Sequence, residues 1–182
     1  MTAVDLFFAL GWVAFWVGWL VAALYTKRGS IPWSRHVRIR LVLVVLAALV
    51  LRTGVFRHQR PHTDPWLVGL GVALFVLGLG LAIWARIHIG RNWGGPMTQK
   101  FEPELVTSGP YHFIRHPIYT GILLAGFGTA LAVNWLWLVA VVLAGIYFVY
   151  CARMEERYLA EQFPDTYETY RHATRMLVPF VF

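Results

Sequence analysis

Long apolar runs alternate with short polar connectors along this chain. Residues 4–25 carry one charge, Asp5, at their edge. Residues 39–55 form a shorter run, with Arg40 and Arg52 placed to snorkel at its ends. Residues 65–87 form a third. Each reads as a helix near the roughly 20 residues needed to cross a bilayer. Residues 117–133 and 135–150 are two further apolar limbs, separated by Asn134. They predict a tight helical hairpin that dips into the membrane and returns to the same face. The second limb meets no breaker before Pro164, so it continues through residues 151–163. Asp165-Thr166-Tyr167-Glu168 has the form of a capping box and opens a short last helix. The predicted fold is all-α. Residues 1–182 form a single membrane domain with about five transmembrane helices. Three lie in residues 1–87, and a C-terminal helical catalytic region with the hairpin occupies residues 88–182.

Composition agrees with this pattern. The apolar share is 58% and the mean hydropathy +0.57, above the roughly 45–50% apolar share of soluble domains. The net charge of +7 raises the question of nucleic acid. The basic residues mostly flank the apolar runs, however, so membrane lipid headgroups are the expected partner and nucleic acid is not. The N-terminus lacks a basic n-region, so no cleavable signal peptide is expected. Cys151 is the single cysteine, which excludes an internal disulfide and a multi-cysteine metal site. His58 and His62 have metal-ligand spacing, but Pro61 interrupts any helix there, and they read as solvated loop residues. No metal is expected. Gly69, Gly71, Gly78 and Gly80 form two Gly-x-Gly pairs inside an apolar helix. Close helix packing explains them better than a dinucleotide fingerprint. Gly11 and Gly18 read the same way.

Lys and Arg also orient the chain. The first connector, residues 86–115 and the C-terminal tail hold five, four and four, against three in the connector after the second run. By the positive-inside rule the first three are cytoplasmic.

The densest polar stretch is residues 109–121. Tyr111, His112, Arg115, His116 and Tyr119 crowd into it between Gly109-Pro110, a turn, and Pro117, which suits the first position of a helix. His116, preceding a proline, is pushed out of helical geometry. The hairpin would bring this stretch to Arg153-Met154-Glu155-Glu156. Successive helix positions differ by about 100°, so the two glutamates cannot face one pocket. Cys151, Glu155 and Leu159 share one stripe. Arg153, Glu156 and Arg157 share another and can pair with each other. One glutamate is then a ligand-binding acid and the other an ion-pair partner.

Leu105-Val106-Thr107-Ser108-Gly109-Pro110-Tyr111, then Arg115-His116-Pro117-Ile118-Tyr119, then Glu155-Glu156 and Tyr167-x-x-Tyr170 resemble the isoprenylcysteine carboxyl methyltransferase family and its phospholipid N-methyltransferase relatives. The resemblance covers about residues 84–180. It implies an integral membrane enzyme using S-adenosylmethionine as methyl donor in a cytoplasmic pocket open to lipid. The membrane would be the inner membrane of a bacterium or an endomembrane of a eukaryote. Pro103, Glu104, Leu105 and Val106 would line the cofactor pocket. Tyr111, His116, Pro117, Ile118 and Tyr119 would surround the cofactor, and Glu155 would hold its ammonium. The acceptor would be a lipophilic small molecule or lipid, with carboxylate O-methylation favoured and no obligate protein partner. Cys151 stands where the eukaryotic enzymes carry a substrate-binding arginine, leaving Arg153 and Arg115 as the cations to orient an anionic acceptor. Two other readings stay open. One is an NADPH-dependent membrane reductase of the sterol reductase type, which shares an Arg-His-Pro-x-Tyr-like element. The other is a non-enzymatic lipid-binding protein.

Overall fold

A computed structural model describes residues 2–25, 29–30, 64–93, 99–100 and 104–178. The apolar run at residues 39–55, the His58/His62 pair and Pro103 lie outside them. The described chain is mainly helical, with one two-residue antiparallel pair in which Gly29–Ser30 (β1) faces Gln99–Lys100 (β2).

Helix α1 spans Ala3–Ala23. Thr2 and Asp5 form a reciprocal capping box at its start, satisfying two N–H groups that the first turn leaves orphaned. Only Phe8 and Phe15 of α1 are buried, while Leu10, Val13, Val17 and Leu20 are exposed. An exposed face this apolar suits lipid rather than water. Helix α2 spans Pro65–Ile89, capped by Asp64 with Pro65 in its first turn. It ends at Gly90, whose φ of 54° is left-handed space that glycine enters without steric cost.

Helix α3 spans Pro117–Ala132 and packs closely on α2. A Cβ at Gly71 would lie 2.5 Å from the Gly128 carbonyl, and one at Gly78 would lie 2.5 Å from Ala125 N and Gly121 O. The glycine pairs therefore divide. Gly71 and Gly78, seven apart, face α3, while Gly69 and Gly80 have nothing within 4 Å. On α1, Gly11 meets Phe75 and Gly18 meets nothing.

Asn134 turns the chain, its Oδ1 accepting from Leu136 N at 3.0 Å. Helix α4 then spans Trp137–Gln162 without a break, and Phe148 stacks on Tyr119 of α3 at 4.6 Å. Helices α1, α4 and the segment Pro65–Asn92 are long and apolar enough to cross a membrane, and α3 is a shorter apolar helix.

Helix α5 spans Tyr167–Ala173, and its start differs from the capping box expected at Asp165. Thr166 is the N-cap, is itself in helical geometry and makes no side-chain cap. Thr166 N and Tyr167 N both donate to Phe163 O, so the chain enters α5 through a turn already satisfied by α4. Glu168 instead pairs with Arg171 and His172 on the surface.

After α5 the chain runs back along the Arg115-His116 stretch. Arg115 N donates to Arg175 O at 2.7 Å and His116 N to Met176 O at 3.1 Å. Thr120 Oγ1 donates to Leu177 O at 2.6 Å.

Candidate active site

The polar stretch is held rigidly from both sides. Gly109 has φ of 60°, and a Cβ there would lie 2.5 Å from the His88 ring. Both backbone and space demand glycine at this turn. Pro110 and Tyr111 follow in a buried 3-10 turn. His116 caps α3 at φ −124° and ψ 59°, the non-helical geometry that Pro117 imposes.

Five charged or ionisable side chains meet at this point. Arg115 Nε donates to Glu156 Oε1 at 2.7 Å, and its Nη1 donates to the carbonyls of Thr174 and Arg171 at 2.7 and 3.1 Å. One guanidinium thus ties α4 to the C-terminal end of α5. His116 bridges the two acids, with Nε2 at 3.2 Å from Glu156 Oε1 and Nδ1 at 3.5 Å from Glu155 Oε2. Tyr119 Oη donates to Glu155 Oε1 at 2.7 Å. The rings of His116 and Tyr119 stack at 5.5 Å and 8°.

The stripe reasoning foresaw Glu156 pairing with Arg153 or Arg157. It pairs with Arg115 and His116 instead, because the head of α3 lies against this turn of α4.

Burial alone would lower the His116 pKa, but hydrogen bonds and charge from Glu155 and Glu156 overcome it and raise the value above 6.5. Arg115 and His116 thus face the two carboxylates. Burial pushes the Tyr111, Tyr167 and Tyr170 hydroxyls well above their ordinary range, so all three remain donors.

The cluster forms one wall of a cavity of about 260 Å³. Of the residues singled out in the sequence, Glu104, Leu105, Val106, Tyr111, Arg115, His116, Ile118, Tyr119 and Glu155 line it. Pro117 is buried beside it without entering the wall. Arg153 is exposed and not part of the wall. It lies two residues from Glu155, about 200° around α4, so facing Glu155 inward turns Arg153 out. Cys151 is fully buried in the core beneath.

Sequence reasoning missed the opposite wall. Trp16 and Trp19 come from α1, and Asn92 and Trp93 follow α2. Trp93 meets Trp19 edge-on at 5.5 Å and is backed by the Arg86 guanidinium, 4.6 Å from its ring centroid. Arg86 also donates to Gly90 O and Ala22 O, tying the ends of α1 and α2 together. Asn92 Nδ2 donates to Glu104 Oε2 at 2.8 Å. Phe148 and Leu159 share the Glu155 stripe of α4, a signal the spacing did carry.

A second, largely apolar groove of about 630 Å³ runs along α1 and α3. It shares Trp16 and Ile122 with the first cavity. Among the described residues no group of three or more metal-ligating side chains occurs.

Comparison with known proteins places this geometry. The family model described as phospholipid methyltransferase matches residues 66–166. The cobalt-zinc-cadmium resistance protein CzcN of Cupriavidus metallidurans is 34% identical over 128 residues, covering 66% of this chain and 55% of the relative. Protein-S-isoprenylcysteine O-methyltransferase B of Arabidopsis thaliana is 30% identical over 159 residues, covering 84% and 78%. The methanethiol S-methyltransferase of a Pseudomonas species is 30% identical over 127 residues, covering 64% and 48%. The chain thus spans about half the length of two of these three relatives. In fold it is similar to the eukaryotic intramembrane Ras methyltransferase ICMT, with a TM-score of 0.63 at 24% identity over 82% of this chain and 55% of that one. The match over residues 66–166, together with the likeness to the plant enzyme, shows that the chain belongs to the phospholipid methyltransferase family and is similar within it to the isoprenylcysteine O-methyltransferases.

Proposed function

We propose that this protein transfers a methyl group from S-adenosylmethionine to a lipophilic acceptor at the membrane surface. The observation that carries the reading is Glu155, a carboxylate fixed by Tyr119 in the wall of an aromatic cavity. The residues present fit the donor. Glu155 suits an ammonium through a charge-assisted hydrogen bond. The rings of Phe148, Trp19 and Trp93 suit a sulfonium and a purine ring. Asn92 Oδ1 is buried without a partner and suits an amino group. When bound, the donor supplies an electrophilic methyl on sulfur.

The chain's own part is positioning. Tyr119 and His116 orient Glu155. Arg115 and Glu156 lock α4 and α5 around the cavity. His116 faces a carboxylate at each ring nitrogen, so it serves as a fixed cation and not as a base. An ionised carboxylate acceptor would need none. The groove along α1 and α3 gives an apolar tail a path to the cavity, which supports a lipid-like acceptor.

A second acceptor class is favoured by two placements. Cys151 occupies the buried position beneath the site, and Arg153 points away from it, so neither supplies the cation a carboxylate acceptor would want. A thiol acceptor that enters as its thiolate, its proton already lost to solvent, fits that setting, and one relative is named a methanethiol S-methyltransferase. In the topology proposed here α3 and α4 form a hairpin within one five-helix membrane domain. The Lys and Arg distribution supports placing the site on the cytoplasmic side.

The test is to incubate the purified protein in lipid with labelled S-adenosylmethionine and follow label into lipids, quinones, prenylated carboxylates and thiols. Transfer to one class that is lost in Glu155→Gln is the expected result. No transfer, with thermal stabilisation by NADPH and none by S-adenosylmethionine, would favour a reductase instead.

A further inference from the structure

Among the described residues, three buried polar atoms have no hydrogen-bond partner: Arg86 Nε, Asn92 Oδ1 and Tyr167 Oη. Two of the three belong to residues lining the same cavity. Tyr167 is the more demanding case, because it is 1% exposed. A buried hydroxyl left unmet destabilises the fold, so one at a cavity wall points to a ligand atom. Its neighbour Tyr170 spends its hydroxyl on the Tyr111 carbonyl at 2.8 Å. Tyr167 lies against Tyr170 with ring centroids 6.2 Å apart and has no such structural use for its oxygen.

The surroundings define what the hydroxyl meets. Glu156 and Arg115 both lie close enough to act on it electrostatically. The wall sets basic side chains, Arg115 and His116, against acidic ones, Glu155 and Glu156, so it suits an end group that carries both kinds of charge. An amino-acid end group is such a zwitterion. Its ammonium is answered by Glu155. Its carboxylate calls for an O–H or N–H donor, and the unpartnered Oη of Tyr167, a residue of the cavity wall, meets that requirement.

Resting on the methyl-donor reading above, we propose that Tyr167 Oη is a ligand-binding donor for the carboxylate of the cofactor's amino-acid end group. Tyr167 thereby separates an intact aminocarboxyl end from a decarboxylated one, a distinction Glu155 cannot make.

The experiment measures calorimetric binding to the full chain in lipid nanodiscs. The probes are S-adenosylhomocysteine and its decarboxylated analogue, with wild type and Tyr167→Phe compared. The variant should bind S-adenosylhomocysteine roughly ten-fold more weakly and bind the analogue within about two-fold of wild type. Retained binding of the analogue also reports an intact cavity. Equal loss for both probes, or no loss for either, overturns the assignment. So does equal wild-type affinity for the two probes, a measurement that needs no variant. If wild type binds neither probe, the methyl-donor reading itself fails. If wild type prefers the intact probe and Tyr167→Phe keeps that preference, only the role of Tyr167 fails.

Discussion

The Nε of Arg115 meets Oε1 of Glu156 at 2.7 Å across 41 positions of sequence. This contact joins the mouth of α3 to the C-terminal third of α4. Through Nη1 the same side chain also holds the carbonyls that end α5. Arg115 is therefore a brace for the cavity more than a free cation within it. The site is built by an ion pair standing directly beside Glu155 in the cavity wall.

That arrangement predicts a stability effect at Glu156. The Arg115 and Glu156 side chains are only 11% and 13% exposed. Glu156→Gln leaves the guanidinium and the imidazolium without their shared counter-charge. Breaking such a pair from one side costs about 3 kcal/mol. Thermal unfolding in detergent should show a clear fall in Tm for Glu156→Gln. A variant as stable as wild type would mean the pair is solvated and contributes nothing.

His116 gives the protein a pH dependence of defined sign. Its folded-state pKa is raised above the ordinary 6.5 by the two glutamates, against the opposing effect of burial. The stability from its charged form is fully present below the unfolded value and is lost as pH rises through the folded one. Wild-type Tm should therefore decline from about pH 6.5 upward, and His116→Gln should flatten that decline. Parallel pH profiles for the two proteins would show that another group is responsible.

The α2–α3 contact makes a third prediction with a built-in control. At Gly78 a methyl would press on the Ala125 and Gly121 backbone at 2.5 Å, whereas at Gly80 nothing lies within 4 Å. Overpacking of this kind costs roughly 1–3 kcal/mol. Gly78→Ala should lower Tm and Gly80→Ala should not. Similar Tm values for both variants would show that the helices do not approach this closely.

The sequence made some of this legible and concealed the rest, for physical reasons. The helices at residues 3–23, 65–89 and 117–162 could be read because apolar runs of that length have few alternatives. The His116-Pro117 entry to α3 was readable because proline restricts both itself and its predecessor. Helical spacing separated Glu155 from Glu156 without saying which is the ligand-binding acid, and the family resemblance pointed to Glu155, which lines the cavity with Phe148 and Leu159. The partner of Glu156 did not emerge. Local spacing favoured Arg153 and Arg157, and only the fold brings Arg115 closer. The tryptophan wall was hidden for a different reason. Trp16 is 45% exposed and sits in a helix apolar on every side, so nothing in the pattern separates a cavity-facing tryptophan from a lipid-facing one. Asn92 and Trp93 follow a long apolar run, where polar and aromatic residues are common at the membrane interface whatever else they do. Their role depends on Arg86, which holds Trp93 against Trp19 across two helices.

The central claim is that Glu155 holds the ammonium of a methyl donor in this cavity. The most direct test is calorimetric binding of S-adenosylhomocysteine to wild type and Glu155→Gln in lipid nanodiscs. Losing one charge-assisted contact is worth about 1.5–3 kcal/mol, so the variant should bind roughly ten-fold or more weakly while still unfolding cooperatively. Undiminished affinity in Glu155→Gln, or a wild-type protein that does not bind the ligand at all, would contradict the account.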